Sequence, residues 1–384
     1  MRRAKPGSVA DLRERLVALC SVPSVSLGER ALVDVLWSEL ETLGATVRED
    51  GAADVLGGDA GNLIAELPGG GPERVMLNAH VDTVPLVAGV PLEPIAVPAD
   101  DSGGERVIVR CRERQVLGAD DKAGVAIVMA LMQRAAAAPF ERRPTLLAVF
   151  TVGEERGLKG AHALDVAGLR ADLGFVFDGE VAVGEVIAAA VAKAALTLRV
   201  RGRRAHAALE PERGVHAIAA AAAVVQAFPL GRDGETVANL GRIEGGGASN
   251  VVPDEVVLHG EARAFDDAAL TALLERIEAR AAAAAAACGA TCTLTSERLY
   301  DAYDLDESAT PFDWLRRAAA EHAIEVTKVR SIGGSDTNVF NQKGLATVNV
   351  GIAMHDIHSV DEWIDVRDLV RVTDWLSDAI GIAT

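Results

Sequence analysis

The chain has 384 residues, with 38 Lys and Arg against 56 Asp and Glu, so its formal net charge is −18. A field of this sign repels nucleic acid and anionic membrane surfaces, which argues against both as partners. The length favours two domains, and 49% hydrophobic with 24% charged residues is ordinary globular composition.

The N-terminal segment is basic but continues into polar, helical sequence without an apolar core or a cleavage site, so no signal peptide is predicted. None of the four cysteines belongs to a CxxC or Cys-His cluster, and all are expected to be reduced thiols. The apolar stretches near 216–228 and 281–287 are alanine-rich and too short to span a bilayer. These features predict a cytoplasmic protein.

Apolar residues at three- and four-residue spacing from Val9 to Leu43 predict two amphipathic helices. Short apolar runs bounded by turn residues then predict strands, with one helical stretch among them. The strands are expected at 62–67, 74–80, 145–152 and 173–178, and the helix near 123–136. Strands that alternate with helices indicate an α/β sheet covered by helices.

Past residue 189 the pattern changes to α+β, with strands that alternate in polarity and two helices. The strands are expected at 194–202, 236–246 and 256–265, and the helices at 216–227 and 267–287. An antiparallel sheet with two helices would form a compact second domain, at 189–298.

After residue 299 the α/β character returns. A helix at 313–320, a Gly-rich turn at 331–336, a strand at 345–352 and a final helix are expected. The first domain is therefore predicted to be interrupted, comprising 1–188 and 299–384.

His80 and Asp82 stand at the end of the strand predicted at 74–80, in the sequence NAHVDTV. A two-residue offset on an extended segment points both side chains to one face. The histidine is then placed to bind a metal while the aspartate orients its ring through the other nitrogen. A satisfied polar pair without a metal is the alternative for this motif alone.

Two pairs of adjacent carboxylates occupy similar positions. Asp120 and Asp121 lie in a Gly-flanked turn that opens a predicted helix, where they either bind a cation or cap the helix. Glu154 and Glu155 follow a strongly apolar strand. Adjacent residues on an extended segment face opposite ways, so one glutamate is expected at a metal and its neighbour at another target.

Asp178 ends the fourth predicted strand, and His358 follows the strand at 345–352 with His355 nearby. Four apolar runs thus end in a carboxylate or an imidazole, and ligand sites of α/β sheets lie outside the carboxyl ends of the strands. Two histidines and three or four carboxylates satisfy two divalent cations that share one carboxylate. Each group alone has an ordinary strand-end explanation, but the whole pattern predicts a dimetal site.

The motifs NAHVDT, LGADDKAG, TVGEE, FDGE, GGSD and IHS, in that order, resemble the dimetal peptidase family that includes aminoacylase, carboxypeptidase G and succinyl-diaminopimelate desuccinylase. Within it, GADDKAG, TVGEE, RAHA and GGSDTNVF are most similar to the tripeptide aminopeptidase (peptidase T)-like branch. The resemblance implies an α/β fold: a mixed-sheet catalytic domain with an inserted α+β lid and dimerisation domain.

The resemblance implies two divalent metal ions in each subunit that share one carboxylate. One metal is expected on His80, Asp120 and Asp178, and the other on Asp120, Glu155 and His358. Zinc is the expected metal, and cobalt and manganese are alternatives for the same ligands.

The resemblance also gives roles to residues beside the metals. Asp82 would orient His80, and Glu154 would be the general base that takes a proton from a metal-bridging water as it attacks the scissile carbonyl. The peptide after the bridging aspartate is cis in this family, which implies a cis bond between Asp120 and Asp121.

Three residues of the inserted domain match positions that contact the substrate. His206 resembles a lid histidine that reaches the partner subunit's active site and stabilises the oxyanion; an exposed loop histidine is the alternative. Asn250 and Arg263 resemble polar contacts for a substrate carboxylate or carbonyl. For Arg263, an intramolecular salt bridge is the alternative.

A Gly-rich loop matches the position beside the substrate, where glycine permits close backbone approach. It comprises Gly333, Gly334 and Ser335, and an ordinary tight turn is the alternative. The remaining histidines match no ligand position and are assigned to surface or core packing: His162, His216, His259, His322 and His355. For His355, a contact that supports the nearby ligand His358 is the alternative.

The predicted function is metal-dependent hydrolysis of an amide bond in small peptides, as in tripeptide aminopeptidases, by a homodimer formed through the inserted domain. An N-acyl amino acid deacylase and a carboxypeptidase are alternatives, because both attack the same type of carbonyl. A non-catalytic metal-binding scaffold is the alternative of another class, which is disfavoured because Glu154 and every ligand position are filled. A nucleotide-dependent enzyme is disfavoured because the sequence has no GxxxxGK[ST] motif.

Overall fold

The structure is a computed structural model that describes residues 5–98 and 106–383. The first four residues, on which the expectation about a leader partly depends, lie outside this range. The chain divides into two compact units. The first unit comprises Met1–Ala188, Leu305–Arg330 and Ser335–Thr384; the second unit comprises Ala189–Asp304 and Ser331–Gly334.

The helices of the described chain are α1 (Val9–Cys20), α2 (Arg30–Thr42), α3 (Ala52–Leu56), α4 (Ala119–Ala137), α5 (Lys159–Ala163), α6 (Val166–Leu169), α7 (Ala217–Ala227), α8 (Asp267–Ala287), α9 (Thr310–Ala319), α10 (Asp336–Gln342) and α11 (Val366–Ala379). Short 3-10 turns lie at Glu154–Arg156, Pro211–Arg213 and Ala320–His322.

The strands up to the second unit are β1 (Thr46–Glu49), β2 (Leu63–Leu67), β3 (Arg74–His80), β4 (Pro94–Pro98), β5 (Val107–Cys111), β6 (Thr145–Thr151), β7 (Leu173–Gly179) and β8 (Glu185–Ala190). They continue as β9 (Ala192–Arg201), β10 (Ala205–His206), β11 (Gly231–Asp233), β12 (Thr236–Gly245), β13 (Val251–Val252), β14 (Glu255–Ala264), β15 (Thr291–Tyr300) and β16 (Tyr303–Asp304). The last are β17 (Thr327–Ser331), β18 (Thr347–Gly351), β19 (Met354–His355) and β20 (Trp363–Asp365).

The main sheet of the first unit has the strand order β1-β2-β6-β3-β7-β18-β8, and β17 also pairs with β8. Its four central strands, β6, β3, β7 and β18, are parallel, whereas β1, β2 and β8 are antiparallel to their neighbours. His80 lies opposite Thr151 across the β3–β6 pair. The carboxyl ends of the parallel strands therefore meet at one edge, where a ligand site is expected.

Helix α4 packs into the core of the first unit, and its side chains are buried on nearly every side. It contacts β3 and β7 of the sheet and the helices α1 and α11. Gly124 permits this close packing, because a Cβ there would lie 2.2 Å from the carbonyl oxygen of Phe177 and 2.5 Å from a carboxylate oxygen of Asp121. The start of α4 is thus held tightly against β7.

A second, four-stranded antiparallel sheet in the first unit has the order β19-β20-β5-β4. Strands β4 and β5 and this sheet were not predicted from the sequence, because its strands are only two to five residues long and show little apolar alternation. The sheet matters for the site because the segment between β19 and β20 carries His358.

The second unit contains a five-stranded antiparallel sheet, β11-β12-β14-β9-β15, and the short pair β10–β13. Its core joins the inward residues of β9, such as Leu198, to Val224 of α7 and Ile277 of α8. The structure thus confirms the mixed α/β fold with a second α+β domain. The return to the first domain comes at Leu305, and the expected boundary at 298/299 falls inside β15 because the edge pairing with β9 extends to Tyr300.

Among the described residues, no helix is long and apolar enough to cross a membrane. The four cysteines form no disulfide in the described chain. Cys20 and Cys111 are buried, Cys292 is half-buried and Cys288 is exposed.

Candidate metal centre

The centre of the site is Asp120, whose carboxylate lies between two imidazoles. Its Oδ1 is 3.0 Å from Nε2 of His80, and its Oδ2 is 3.0 Å from Nε2 of His358. The same nitrogen of His358 lies 2.8 Å from Oε1 of Glu155. His80 and Asp120 are buried, whereas the side chain of His358 is 48% exposed, so this histidine borders the open side of the site.

Asp178 completes the opposite side of the cluster. Its Oδ1 lies 3.8 Å from Nε2 of His80, and its backbone N–H donates to Oδ1 of Asn349 at 3.0 Å. Possible ligand atoms of His80, Asp120 and Glu155 lie within 4.8 Å of one another, as do those of His80, Asp121 and Asp178. The structure thus brings together all five residues that the sequence predicted as metal ligands.

Asp121 belongs to the cluster although it was not predicted as a ligand from the sequence. Its Oδ2 accepts the backbone N–H of His80, and its Oδ1 accepts that of Gly124, each at 3.1 Å. The peptide bond between Asp120 and Asp121 is cis, as the resemblance implied. The two interpretations of the acidic pair therefore apply to different residues: Asp121 caps the helix, and Asp120 faces the histidines.

Asp82 is fully buried and holds several groups at once. Its Oδ1 accepts the backbone N–H of Glu154 at 2.9 Å, and its Oδ2 accepts that of Glu155 at 3.2 Å. The hydroxyl of Ser26 donates to Oδ2 at 2.6 Å. Nδ1 of His80 lies 3.0 Å from the backbone carbonyl oxygen of Asp82 and 3.4 Å from Oδ1 of the Asp82 side chain. Asp82 is therefore placed to fix both the histidine ring and the two glutamates.

The two glutamates lie in a 3-10 turn, Glu154–Arg156, that follows β6. The expectation that an extended segment separates their side chains is wrong, because the strand ends at Thr151 and Gly153 adopts a left-handed conformation with φ of 61°. In this turn the side chain of Glu155 reaches His358.

Glu362 is a buried carboxylate that was not singled out from the sequence. It accepts the backbone N–H groups of Gly118 and Asp120, at 2.8 and 2.9 Å. It lies in the same segment as His358, immediately before β20. No sequence motif marks it, because its partners are backbone groups far along the chain.

Burial and the crowding of carboxylates shift the pKa values of the cluster. Burial lowers the pKa of His80, but hydrogen bonds to Asp120 and Asp82 raise it well above its usual value. Hydrogen bonds to Asp120 and Glu155 raise the pKa of His358 to about 10. Burial alone would raise the pKa of Asp120, and the two histidines hold it below its usual range.

Burial and neighbouring charges also raise the pKa values of Asp178 and Glu154 well above their usual range. Without a cation, the cluster therefore balances its negative charge with protons on the imidazoles and carboxyl groups. Divalent metals replace such protons on binding, and histidine with carboxylate ligands suits zinc and related metals. The donor set fits a metal centre.

His206 and Asn250 are neighbours in the second unit. His206 is exposed on β10, which pairs with β13, and the backbone N–H of Ala207 donates to the carbonyl oxygen of Asn250 at 2.9 Å. Nδ1 of His206 accepts the backbone N–H groups of Ala208 and Leu209. In the neutral ring the hydrogen is therefore on Nε2, which makes that nitrogen a donor.

Arg263 lies on β14 and is part of an ion pair. Its Nε donates to Oε1 of Glu261 at 2.9 Å, and its NH1 donates to the carbonyl oxygen of Ile332 at 2.8 Å. Lys193 pairs with the other oxygen of Glu261 at 3.0 Å. The salt bridge that the sequence left as an alternative is thus present between Arg263 and Glu261. The separate hydrogen bond to Ile332 joins Arg263 to the residue before the Gly-rich loop.

The Gly-rich loop has local structural reasons for its residues. A Cβ on Gly334 would lie 2.2 Å from Cζ of Tyr300, so this position requires glycine. Gly333 donates its backbone N–H to the hydroxyl of Ser331. Ser335 is the N-cap of α10 in a capping box, and its hydroxyl also accepts from the side chain of Asn349 at 3.3 Å.

The histidines without a predicted ligand role have structural contacts. The ring of His355 stacks on Trp363 at 4.0 Å between centroids, and His216 is the N-cap of α7. His259 lies 3.1 Å from Glu244, and His322 lies 2.7 Å from Asp378. The carbonyl oxygen of His162 accepts from Lys343.

Histidines and carboxylates gathered at the carboxyl ends of parallel strands define a metal-dependent hydrolase site. Comparison with protein families agrees: "Peptidase family M28" matches residues 62–209, and the M20 "Peptidase dimerisation domain" matches residues 191–287.

Similar proteins cover nearly the whole chain. The Bacillus subtilis protein YqjE is 33% identical over 94% of this chain and 95% of its own length. The solved structure of aminopeptidase PepT from Bacillus cereus is 32% identical with a TM-score of 0.84, and that of a tripeptidase from Staphylococcus aureus is 28% identical with a TM-score of 0.87. Each covers 98% of both chains. The chain belongs to the peptidase T (PepT)-like branch of the M20 metallopeptidases.

Proposed function

We propose that the protein is an aminopeptidase of tripeptide type, which removes the N-terminal residue from small peptides. The main observation in support of this proposal is that Asp120 lies within 3.0 Å of both His80 and His358, where the carboxyl ends of the parallel strands meet. The B. cereus and S. aureus relatives are named as an aminopeptidase and a tripeptidase, which supports small peptides as the class of substrate.

The proposed centre holds two divalent cations in each subunit. His80, Asp120 and Asp178 would bind one, and Asp120, Glu155 and His358 the other, with Asp120 as the bridge. Zinc is the proposed metal, and cobalt or manganese would suit the same ligands. When bound, such cations polarise the scissile carbonyl and lower the pKa of the attacking water.

Glu154 is the proposed general base, and Asp82 supports it. Burial, with the nearby carboxylates, raises the pKa of Glu154 well above its usual value. A glutamate in such surroundings can take a proton from water and return it to the leaving amine. Asp82 fixes the backbone of Glu154 through a 2.9 Å hydrogen bond and orients the ring of His80.

The proposed substrate contacts lie in the second unit and the loop beside it. His206, acting from the partner subunit of a homodimer, would donate from Nε2 to the developing oxyanion. Asn250 and Arg263 would contact the substrate's polar groups. The loop of Gly333, Gly334 and Ser335 would border the substrate.

The match of the second unit to a dimerisation domain supports its proposed role as a lid and homodimer interface. The four cysteines, none of them in a disulfide within the described chain, support a reducing compartment. We therefore propose a cytoplasmic location.

Hydrolysis of matched peptides tests the function. Purified protein loaded with zinc would be given trialanine, N-acetyl-trialanine, trialanine amide and dialanine, and products would be separated by chromatography. We expect trialanine to be cleaved fastest and trialanine amide to yield free alanine and alanyl-alanine amide, which shows cleavage at the amino end. Acetylation of the amine should abolish cleavage. Glu154→Gln is the matched control: it should retain zinc and lose about 10²–10⁴-fold in kcat.

Other outcomes would change the assignment. Preferred cleavage of the N-acetyl group would make the protein a deacylase, and release of the C-terminal alanine from the acetylated peptide would make it a carboxypeptidase. Zinc binding without cleavage of any of these substrates would favour a metal-binding scaffold.

A further inference from the structure

Glu362 joins two parts of the metal centre that are far apart in sequence. Its carboxylate accepts the backbone N–H groups of Gly118 and Asp120, so it holds the turn on which the bridging aspartate stands. The side chain is 2% exposed. Because each of its two oxygens accepts a separate backbone N–H, the buried carboxyl group is a directional contact.

The segment that carries Glu362 also carries His358, and it is anchored at its base. Residues 356–362 connect β19 to β20, and β20 pairs with β5. The ring of His355, on β19, stacks on Trp363, on β20. His358 itself has a φ of 60°, which is unusual for a residue with a side chain. Glu362 thus ties a constrained histidine loop to the turn of Asp120.

The other side of the centre has separate supports. Asn349 fixes the backbone of Asp178 with a 3.0 Å hydrogen bond. Asp82 and Asp121 hold His80, through its ring and its backbone N–H. No hydrogen bond of Glu362 to these residues is found in the described chain. A loss of Glu362 should therefore affect the two sides unequally.

We propose that Glu362 is a positioning residue that sets the cation affinity of the Asp120–Glu155–His358 side of the centre. The inference depends on the proposed function for the ligand roles of these three residues. Glu362 contacts neither the cation nor the substrate in this proposal: it fixes the distance between Asp120 and His358. Removal of such outer contacts typically lowers metal affinity by about 10–100-fold.

Zinc titration of wild-type and variant proteins tests the proposal. Metal-free wild-type protein, Glu362→Ala, Glu362→Gln and Asp361→Asn would be titrated with zinc against a chromophoric chelator, and the thermal midpoint of each metal-free protein would be measured. Asp361 is the matched control because it is the adjacent carboxylate, with a side chain 65% exposed beside Arg114. Glutamine keeps one acceptor oxygen, so Glu362→Gln should partly restore what alanine removes.

We expect wild-type protein to bind two zinc ions, and Asp361→Asn to bind each of them with the wild-type affinity. Glu362→Ala should weaken one of the two ions by about 10–100-fold and leave the other within about threefold, with Glu362→Gln in between. His358→Ala, titrated in parallel, should lose the same ion. This selective loss, unlike a general loss of stability, is the mark of positioning.

Two results would overturn the proposal. One is unchanged zinc affinities in both Glu362 variants, whether or not the thermal midpoint of the metal-free protein falls, and the other is an equal weakening of both ions. Wild-type protein that binds no zinc would overturn the proposed function, and this inference with it.

Discussion

At the scale of single residues, the site depends on buried carboxylates that bind backbone groups. Asp82, Asp121 and Glu362 each accept two backbone N–H groups. Each also lies next to a side chain that faces the proposed cations. Backbone anchoring of this kind fixes the position of a ligand without occupying its metal-binding atoms.

Asp82→Asn should destabilise the protein more than the loss of any single partner of Asp82. The amide can accept from only one of the two glutamate N–H groups, and its own NH2 group would face the other. We expect the free energy of unfolding of the metal-free protein to fall by about 1–3 kcal/mol. Ser26→Ala removes only the hydroxyl donor and should lower it by about 0.5–1.5 kcal/mol. Urea denaturation measures both, and equal stability of Asp82→Asn and wild type would contradict the anchoring role.

At the scale of the elements, the close contact between α4 and β7 positions the first turn of α4. That turn carries Asp120 and Asp121, and at Gly124 the helix leaves no room for a Cβ beside the backbone of Phe177 on β7. A change in the packing of this helix would therefore move the carboxylate of Asp120, even though no proposed ligand is altered.

Gly124→Ala should both destabilise the fold and weaken the metal centre. The new methyl group would meet the backbone of β7 at 2.2 Å, and overpacking of this kind destabilises proteins by about 1–3 kcal/mol. Gly51→Ala is the control, because Gly51 has a φ of −83° and a Cβ added there would have no neighbouring atom within 4 Å; it should be neutral or slightly stabilising. Denaturation and zinc titration measure the two effects, and zinc affinity equal to that of wild type in Gly124→Ala would contradict the coupling of α4 packing to the site.

At the scale of the whole molecule, the proposed role of His206 depends on the proposed homodimer. If His206 acts on the partner's substrate, then neither His206→Ala nor Glu154→Gln is active alone, but a mixed dimer contains one complete site. After the two variants are mixed and their subunits exchange, we expect about a quarter of wild-type activity, since half the dimers are mixed and each has one working site of two. Activity no greater than the sum of the separate variants would show that His206 does not act across the interface.

The sequence predicted which side chains lie close together where those side chains follow a strand. His80 and Asp178 end apolar runs, and the glutamate pair follows one, so the parallel arrangement alone brings them together. The turn of Glu154 and Glu155 was not predicted, because a left-handed glycine and a 3-10 turn replace the expected extended segment. Glu362 and Asn349 were missed for another reason: their partners lie more than 170 residues away, and nothing local marks them.

The pairing of His80 with Thr151 in the parallel sheet has a consequence for how such a chain can vary in length. Inserting or deleting one residue within β3 would turn every later side chain of the strand to the opposite face, including that of His80. The number of residues in the turns that follow the strands is not restricted in this way, up to the next proposed ligand residue in the chain. Length differences among natural relatives should therefore accumulate in the exposed connections and be absent from β3, β6 and β7.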